Sequence, residues 1–472
     1  MTLKRTLFKS NTVTSAKHTH FKNNAITTVI RKTWKNSAWN SDVTFTSVYS
    51  GSHHPLANDM TATGSSGILS SWYKFELPGT PIGVRVHIRQ RYRATDSIRP
   101  NFKAMVGAGS NLIDTAAHSW WPAAGNVVSE TGWKKATWGR AASVDAAICN
   151  ETGVTTIANI AGEVVSDLIP ISNVITQANG NSYFVMCVEQ TVASAPYLQW
   201  GAYLARNYLT PLASEDGAAN GTYWSDIYMN GVASVLGVTN APLTGPTAVP
   251  STSAGGQAIC AWLEPVYATP IRSFLSSGDS THSCAYAYDN YAGWIGNAVR
   301  SLNDPLNSKI VTYKHSGGSG HSLPEFMNIF EQEYADCSYS DIILQGWSQN
   351  GFSGADSGTT NTPVWIARIT AAVNAAVAAG KRVFLTTGYG VNGYTTTTNT
   401  NRQACITAIK ALCDGVKVFL VDTDNLITDY SGGTLVSQPI KSAYNSGDNI
   451  HANIAGQNAM RDLLKSVISS TM

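Results

Sequence analysis

Three residues of this sequence have types and an order that suit nucleophilic catalysis: Ser280, Asp448 and His451. Ser280 lies in a tight Gly278-Asp279-Ser280 turn, after a short apolar run that begins at Arg272. A serine hydroxyl needs an adjacent base to become a nucleophile. Asp448 and His451 are three residues apart, so one short turn can place the carboxylate beside the imidazole and fix its tautomer. We therefore expect Ser280 to be the nucleophile, His451 the base and Asp448 the residue that orients His451.

Two further polar segments follow apolar runs, and they offer hydrogen-bond donors for an oxyanion. One is the glycine-rich segment 316–321, and the other is 346–351. An attacked carbonyl becomes an oxyanion that preorganised donors must stabilise. The candidate donors are the backbone N–H of Ser280, a backbone N–H of one glycine in 317–320 and the side-chain amide of Asn350.

Residues beside these candidates have predicted supporting roles. Asp279 is expected to hold the nucleophile loop by hydrogen bonds, although capping of the next helix is also open. Trp347 either packs inward or closes over a substrate, and His321 adjoins the oxyanion segment; both are candidate substrate contacts. His282 is a rival base, but it is too near Ser280 in sequence to reach back easily.

Taken together, the polar segments resemble the four blocks of the SGNH hydrolases, the GDSL-type esterases and lipases. G-D-S follows the first strand, a glycine-rich turn the second and an asparagine the third, and D-x-x-H precedes the last helix. The resemblance implies a flavodoxin-like three-layer α/β/α fold, the roles given above for the catalytic and oxyanion residues, and no metal or organic cofactor. Among the glycines it favours Gly320 as the donor over Gly317 and Gly318, because Gly320 precedes a helix start. Two departures are Ser348-Gln349-Asn350-Gly351 in place of G-x-N-D, and Thr281 in place of leucine after G-D-S.

Alternating strand and helix patterns in the second half predict the sheet that would position these residues. Five apolar strand candidates are each followed by a segment with helical features, which indicates a parallel sheet covered on both faces. The strand candidates are Arg272–Ser276, Lys309–Tyr313, Asp341–Gln345, Arg382–Thr387 and Val416–Val421. The clearest helix patterns are Asn290–Leu302, Pro363–Ala379 and Ile454–Ile468.

The first half has the pattern of β structure, with β-branched and aromatic runs separated by Gly, Asn, Ser and Pro. We predict an all-β domain of jelly-roll or sandwich type over 1–240, a linker over 241–265 that is rich in Pro, Gly, Ser and Thr, and the catalytic domain over 266–472. The strand at 84–93 alternates apolar residues with Arg85, His87 and three further arginines. This cationic face is either solvated, a subunit contact or a site for an acidic polysaccharide.

Composition limits the class of partner. Charged residues make up 13% of the chain and the net charge is +2, so no overall field recruits nucleic acid or an anionic membrane. No run approaches the roughly 20 apolar residues of a membrane helix. Low charge with abundant aromatics is typical of extracellular carbohydrate-handling proteins and virion fibres. From this composition we expect an extracellular or virion-associated protein, and a cytoplasmic location stays open. Met1 to Lys22 contains no apolar stretch of signal-peptide length, so we expect no classical N-terminal signal.

Cysteine and histidine spacings predict no metal site. The 7 cysteines show no C-x-x-C motif and are expected to be buried thiols. Two histidine pairs, His18 with His20 and His53 with His54, have no acidic or cysteine companions at ligand spacing.

The predicted activity is hydrolysis of O-acyl esters through a Ser-His-Asp triad and an acyl-enzyme. The aromatic, low-charge β half favours O-acetyl groups on a polysaccharide as the substrate, and the tandem Trp120-Trp121 is a candidate platform for sugar rings or a core pair. The alternatives are a lipid esterase or thioesterase of the same fold, and a non-catalytic carbohydrate-binding adhesin of a virion or cell surface. The β half could also assemble copies of the chain into an oligomer.

Overall fold

The computed structural model describes parts of both halves of the chain. The described residues are 21–22, 25–26, 32–35, 38–41, 58–61, 67–92, 98–109, 134–139, 144–150, 163–171, 180–192, 197–200, 227–230, 261–269, 271–283, 293–315, 322–323, 326–327, 330–331, 339–348, 350, 362–433, 435 and 437–472.

The regular elements among the described residues before 267 are all β strands. These strands are β1 (Phe21–Lys22), β2 (Ala25–Ile26), β3 (Lys32–Lys35), β4 (Ala38–Ser41), β5 (Asn58–Thr61), β6 (Gly67–Pro78), β7 (Gly83–Tyr92), β8 (Ile98–Gly109), β9 (Lys134–Lys135), β10 (Val144–Asn150), β11 (Glu163–Val165), β12 (Ile169–Pro170), β13 (Asn181–Val192), β14 (Tyr197–Trp200), β15 (Ile227–Asn230) and β16 (Ala261–Val266). Ten of them form one sheet in the order β11-β7-β10-β8-β13-β6-β15, with β12 and β16 also on β7 and β9 on β8. The other six pair as β1 with β2, β3 with β4, and β5 with β14.

The long central strands of this sheet have one buried face. In β13 the alternate residues Phe184, Met186 and Val188 are fully buried, which is the period-two pattern of a strand. The described part of the first half contains β strands, while an all-β domain of jelly-roll or sandwich type stays a prediction. The Trp120-Trp121 pair and both histidine pairs lie outside the described residues.

At its first two positions the cationic face of β7 is buried against an acidic residue, and a solvated face is wrong there. Arg85 and His87 are only 4% and 1% exposed. Both bond to the buried Glu264 of β16, Arg85 Nη1 at 2.7 Å and His87 Nε2 at 2.6 Å. Buried charges are tolerated where an opposite charge pairs with them, and β16 supplies that charge by pairing antiparallel with β7. The sequence does not reveal this partner, because Glu264 is 177 residues away from His87.

The second half contains a five-stranded parallel sheet, as the sequence predicts. Its strands are β17 (Arg272–Ser277), β18 (Val311–His315), β19 (Asp341–Gln345), β20 (Arg382–Thr386) and β21 (Val418–Val421), in the order β18-β17-β19-β20-β21. The described helices are α1 (Ser280–Ser283), α2 (Gly293–Arg300), α3 (Thr362–Ala378), α4 (Thr396–Leu412), α5 (Thr423–Ile427) and α6 (Ile454–Ser469), with short 3-10 turns at Pro305–Asn307 and Ser442–Tyr444. Strand β18 begins two residues later than predicted, since Lys309 still belongs to the preceding turn, where it pairs with Asp304.

Helices cover both faces of this parallel sheet. On one face, α2 and α6 pack against side chains that include Phe274, Ile343 and Phe384. On the other face, α3 and α4 pack against the next residues along the same strands, such as Leu275 and Leu344. Strands buried on both faces explain the continuous apolar runs of the sequence.

The β-rich part and the parallel-sheet part are in contact. The core on the α3 and α4 face is continuous with the buried residues of β7, β8 and β13. The buried hydroxyl of Tyr267 donates to the carbonyl of Pro78 at 2.6 Å. Strand β16 joins the N-terminal sheet only a few residues before β17 begins the parallel one.

Candidate active site

The candidate residues lie where the strand order of the parallel sheet reverses. From β17 the chain passes to β18 on one side, and then returns to β19 on the other side of β17. Ligands of open α/β sheets bind at the carboxyl ends of the strands at such a switch point. Ser280 follows β17, and Ser348 and Asn350 follow β19.

Ser280 is presented by a turn that requires glycine. Strand β17 ends at Ser277, and Ser280 is the first residue of α1. A Cβ on the intervening Gly278 would lie 2.3 Å from Gln345 Oε1 and 2.5 Å from His282 Cβ. Real Cβ atoms do not approach other atoms so closely, so no larger residue fits this turn without displacing Gln345 or His282.

The structure brings Ser280, His451 and Asp448 together in one chain of hydrogen bonds. Ser280 Oγ is 2.8 Å from His451 Nε2, and His451 Nδ1 is 2.5 Å from Asp448 Oδ2. Ser280 and His451 are 4% and 8% exposed, so both lie just beneath the surface. With an ionised Asp448, Nδ1 carries the imidazole proton and Nε2 is left to accept the proton of the serine hydroxyl.

Asp448 is held ionised by its loop. Its Oδ1 accepts hydrogen bonds from Ser446 Oγ at 2.7 Å, from the backbone N–H of Ile450 at 2.9 Å and from that of His451 at 2.8 Å. Partial burial alone raises the pKa of Asp448, but the hydrogen bonds from His451, Ile450 and Ser446 outweigh it and hold the pKa well below its ordinary value. The carboxylate can therefore stabilise a positive charge on His451.

The loop that carries Asp448 and His451 is fixed at several points. Asn453 caps α6, because its side chain accepts from the N–H of Gly456 at 3.0 Å. Asn449 takes a left-handed backbone conformation with φ of 68°. Asn392, in the loop after β20, donates to Asn449 from its backbone N–H at 3.0 Å and from its side chain at 2.8 Å. The backbone N–H of Ala452 donates to the hydroxyl of Tyr389 at 3.3 Å.

Asp279 is fully buried and connects two loops of the site. Its Oδ1 accepts from the N–H and the hydroxyl of Thr281, each at 2.8 Å, and its Oδ2 accepts a short hydrogen bond from Ser348 Oγ. Burial raises the pKa of Asp279 above its ordinary value, although the hydrogen bonds from Ser348 and Thr281 oppose this. Both carboxylate oxygens of Asp279 are thus engaged by the two loops, so its geometry suits holding the nucleophile loop.

The segment after β19 joins the same network. The backbone N–H of Asn350 donates to Ser348 Oγ at 3.1 Å, and Ser348 in turn donates to Asp279. Trp347 is 1% exposed and stacks on Trp365 with ring centroids 5.1 Å apart. Of the two positions that were open for Trp347, the structure therefore shows the inward one, and a ring so deeply buried has no face for a substrate.

Two predicted site residues, Gly320 and His321, lie outside the described residues.

The rival base His282 is buried. Its Nε2 is 3.2 Å from Thr386 Oγ1, and its ring and that of Trp294 meet edge to face. Burial lowers the pKa of His282 to about 3, so this imidazole is neutral at physiological pH and belongs to the core.

Sequence reasoning missed three residues that contact the site: Gln345, Tyr389 and Asn392. The sequence pattern predicts Gln345 only as the end of a strand, and the signal that points to it is a single amide in an otherwise apolar strand. Tyr389 and Asn392 lie in a glycine-rich loop whose approach to Asn449 no local pattern predicts.

Metal and membrane features are absent from the part of the chain that the structure describes. Its His, Cys, Asp and Glu side chains form no group of three that could hold a metal ion. Among the same residues, no helix has the length and apolar character needed to cross a bilayer.

No protein-family model matches the chain, and no curated protein matches its sequence. A GDSL-like lipase from Bacteroides thetaiotaomicron VPI-5482 matches its structure with a TM-score of 0.33 and 16% identity, over 43% of this chain and 89% of its own. A lipase/acylhydrolase from Enterococcus faecalis matches with a TM-score of 0.33 and 12% identity, over 43% and 97%. A variant of an acetyl-xylooligosaccharide esterase from Geobacillus Stearmophilus matches with a TM-score of 0.33 and 15% identity, over 42% and 94%. The C-terminal part of this chain is thus similar to GDSL-type lipolytic proteins, at low sequence identity.

Proposed function

We propose that the C-terminal half is a serine ester hydrolase with Ser280 as nucleophile, His451 as general base and acid, and Asp448 as the orienting carboxylate. The observation that carries this proposal is the Ser280 Oγ to His451 Nε2 distance of 2.8 Å, with Asp448 Oδ2 at 2.5 Å behind the imidazole. Nucleophile, base and orienting group within hydrogen-bond reach are the geometric signature of an activated serine.

In the first half of the reaction, Ser280 Oγ attacks the carbonyl carbon of the ester as its proton passes to His451 Nε2. The carbonyl oxygen becomes an oxyanion, and the imidazolium is stabilised by the ionised Asp448. When the tetrahedral intermediate collapses, the C–O bond to the alcohol breaks and His451 returns the proton to the leaving oxygen. An acyl-enzyme on Ser280 remains.

In the second half, water takes the place of the alcohol. His451 Nε2 accepts a proton from water as its oxygen attacks the acyl carbon, and collapse of the second intermediate returns this proton to Ser280 Oγ. We assign oxyanion stabilisation to the backbone N–H of Ser280, the side chain of Asn350 and Gly320, each donor contributing about 3 to 4 kcal/mol. The backbone N–H of Asn350 donates to Ser348, which donates to Asp279, and this supports a place for the Asn350 segment beside the nucleophile loop.

For the substrate we propose O-acetyl groups on a polysaccharide. The support is the composition of the chain, with 13% charged and 10% aromatic residues, which suits a protein that handles carbohydrate. In this proposal the β-rich half binds the glycan or assembles the protein at a virion or cell surface, and the C-terminal half removes the acetyl group. The domain division at 241–265 belongs to the same proposal.

The test measures hydrolysis of p-nitrophenyl acetate, butyrate and octanoate, and of an acetylated xylan, by wild type and by Ser280→Ala. A matched control is Ser277→Ala, which removes a hydroxyl three residues upstream that donates to the carbonyl of Phe326. We expect acetate-selective turnover that is lost in Ser280→Ala and kept in Ser277→Ala.

Other outcomes separate the alternatives. Faster turnover of octanoate than of acetate would favour a lipid esterase. Release of acetate from no ester, together with glycan binding that Ser280→Ala retains, would favour an adhesin and overturn the proposed activity.

A further inference from the structure

Gln345 is a buried amide at the point where the two loops of the site meet. It is the last residue of β19, and β19 lies beside β17, with Ser277 opposite Leu344 in the register. Its three neighbours along the strand, Ile342, Ile343 and Leu344, are apolar and buried. A polar group in such a position is unfavourable unless it is fully hydrogen-bonded.

The hydrogen bonds of Gln345 go to the residues on either side of the nucleophile. Its Oε1 accepts from the backbone N–H of Asp279 at 2.6 Å, and its Nε2 donates to Thr281 Oγ1 at 3.1 Å. The second N–H of the amide donates to the backbone carbonyl of Trp347 at 2.6 Å. The side chain thus holds residues 279 and 281, which flank Ser280, and the start of the segment that carries Asn350.

The chemistry of these partners fixes the orientation of the amide. The backbone N–H of Asp279 can only donate, so it must face the amide oxygen. The carbonyl of Trp347 can only accept, so it must face the amide nitrogen. Only a side chain with one acceptor and two donors at the end of this arm satisfies all three partners.

Gly278 makes this contact possible. The amide oxygen of Gln345 lies over Gly278, at 2.3 Å from where a Cβ would be. The missing side chain therefore leaves the space through which Gln345 reaches Asp279. This gives the glycine of the Gly278-Asp279-Ser280 turn a specific role in the site.

We propose that Gln345 is a positioning residue, which sets the place of Ser280 Oγ relative to His451 and couples the nucleophile loop to the segment that carries Asn350. This inference rests on the proposed function, because it concerns the same nucleophile. Gln345 acts through its hydrogen bonds to Asp279 and Thr281.

The test compares Gln345→Met with wild type and with Gln438→Met. Methionine keeps the length and volume of glutamine but offers neither the acceptor nor the donors. Gln438 is a second buried glutamine, and its Oε1 accepts a hydrogen bond of 2.5 Å from Arg402 Nη2. This bond does not involve the nucleophile loop. The same substitution there controls for the loss of buried hydrogen bonds.

Two quantities are measured for each protein: kcat and KM for p-nitrophenyl acetate, and the rate constant for phosphonylation of Ser280 by a small fluorophosphonate. Since misplacement by about 1 Å costs on the order of 100-fold in rate, we expect Gln345→Met to lose about 100-fold in kcat and in phosphonylation rate, with KM changed less than threefold. Gln438→Met is expected to keep both rates while its midpoint of thermal unfolding falls.

A second variant keeps the test informative if Gln345→Met unfolds. In Gln345→Glu the introduced carboxyl can still accept from Asp279 N–H, and when protonated it can donate to the Trp347 carbonyl. When ionised it has no donor and lies beside the carboxylate of Asp279, while the adjacent His282 is neutral. The ratio of variant to wild-type kcat is therefore expected to be higher at pH 5 than at pH 8.

The outcomes separate this inference from the proposed function. If wild type is phosphonylated at Ser280 and Gln345→Met reacts within threefold of its rate, or if the ratio for Gln345→Glu does not change with pH, the positioning role is refuted. If wild type itself is not phosphonylated at Ser280, the proposed function fails and takes the inference with it.

Discussion

Replacing Asp448 with asparagine separates the orientation of His451 from the fold of its loop. Oδ1 of Asp448 accepts hydrogen bonds from Ser446 Oγ and from the backbone N–H groups of Ile450 and His451. The carbonyl oxygen of an asparagine can accept all three, whereas a flipped amide would point its NH₂ at three donors. The loop therefore fixes the asparagine with its NH₂ facing His451 Nδ1.

This orientation inverts the tautomer of His451. Facing an NH₂ donor, Nδ1 must accept, so the imidazole proton moves to Nε2, which can no longer take the proton of Ser280. In a serine hydrolase the same change lowers kcat by about 10⁴-fold, which corresponds to about 5.4 kcal/mol of activation free energy. We expect a loss of this size in Asp448→Asn.

The assay is kcat for p-nitrophenyl acetate together with the midpoint of thermal unfolding. Asp414→Asn is a matched control, because Asp414 also accepts three backbone N–H groups in an exposed turn, those of Val416, Lys417 and Val418. We expect wild-type kcat in this control. A folded Asp448→Asn protein with kcat within tenfold of wild type would refute the reasoning about the tautomer.

Three further predictions follow from buried groups. Burial raises the pKa of Asp279 above its unfolded value of about 3.9, so the folded state binds more protons and loses stability as the pH rises between the two pKa values. In denaturant titrations, the unfolding free energy of wild type should therefore fall relative to that of Asp279→Asn as the pH rises above about 4. A difference that stays constant with pH would count against this burial effect. Gly278→Ala places a Cβ 2.3 Å from Gln345 Oε1, so kcat should fall about 100-fold with little change in KM, and wild-type kcat would show that the turn adapts. Arg402 is fully buried and pairs with Asp424, so Arg402→Met should lower the unfolding free energy by about 3 to 5 kcal/mol. The kcat of the protein that remains folded should stay at the wild-type value. A loss below about 1 kcal/mol would contradict the pairing.

The parallel sheet and its helices could be predicted from the sequence because their signals are local. Each strand is a short apolar run, and Thr362 to Gly380 contains a helix with clear start and stop signals. The five strands and the helices at 293–300, 362–378 and 454–469 lie where the patterns indicate, with ends shifted by up to three residues. The proximity of Ser280 and His451 could be anticipated from the same order of elements, because the carboxyl ends of parallel strands share one edge.

Contacts between distant segments could not be predicted in the same way. Glu264 forms hydrogen bonds with Arg85 and His87 through a strand pair that closes across 177 residues, and no feature near His87 indicates it. Gln345 reads as the end of a strand until the register places it beside Gly278. Trp347 could have lain inward or outward, and the stacked ring of Trp365 decides for the inward position.

The most direct measurement of the central claim is covalent labelling of the intact chain with a fluorophosphonate, followed by peptide mass spectrometry. An activated serine is phosphonylated and an ordinary serine is not, so the result does not depend on knowing the natural ester. We predict one adduct, on the peptide that contains Ser280, with labelling lost in Ser280→Ala and strongly slowed in His451→Gln. An adduct on another residue, or no adduct in a protein that still hydrolyses esters, would contradict the assignment of Ser280 as the nucleophile.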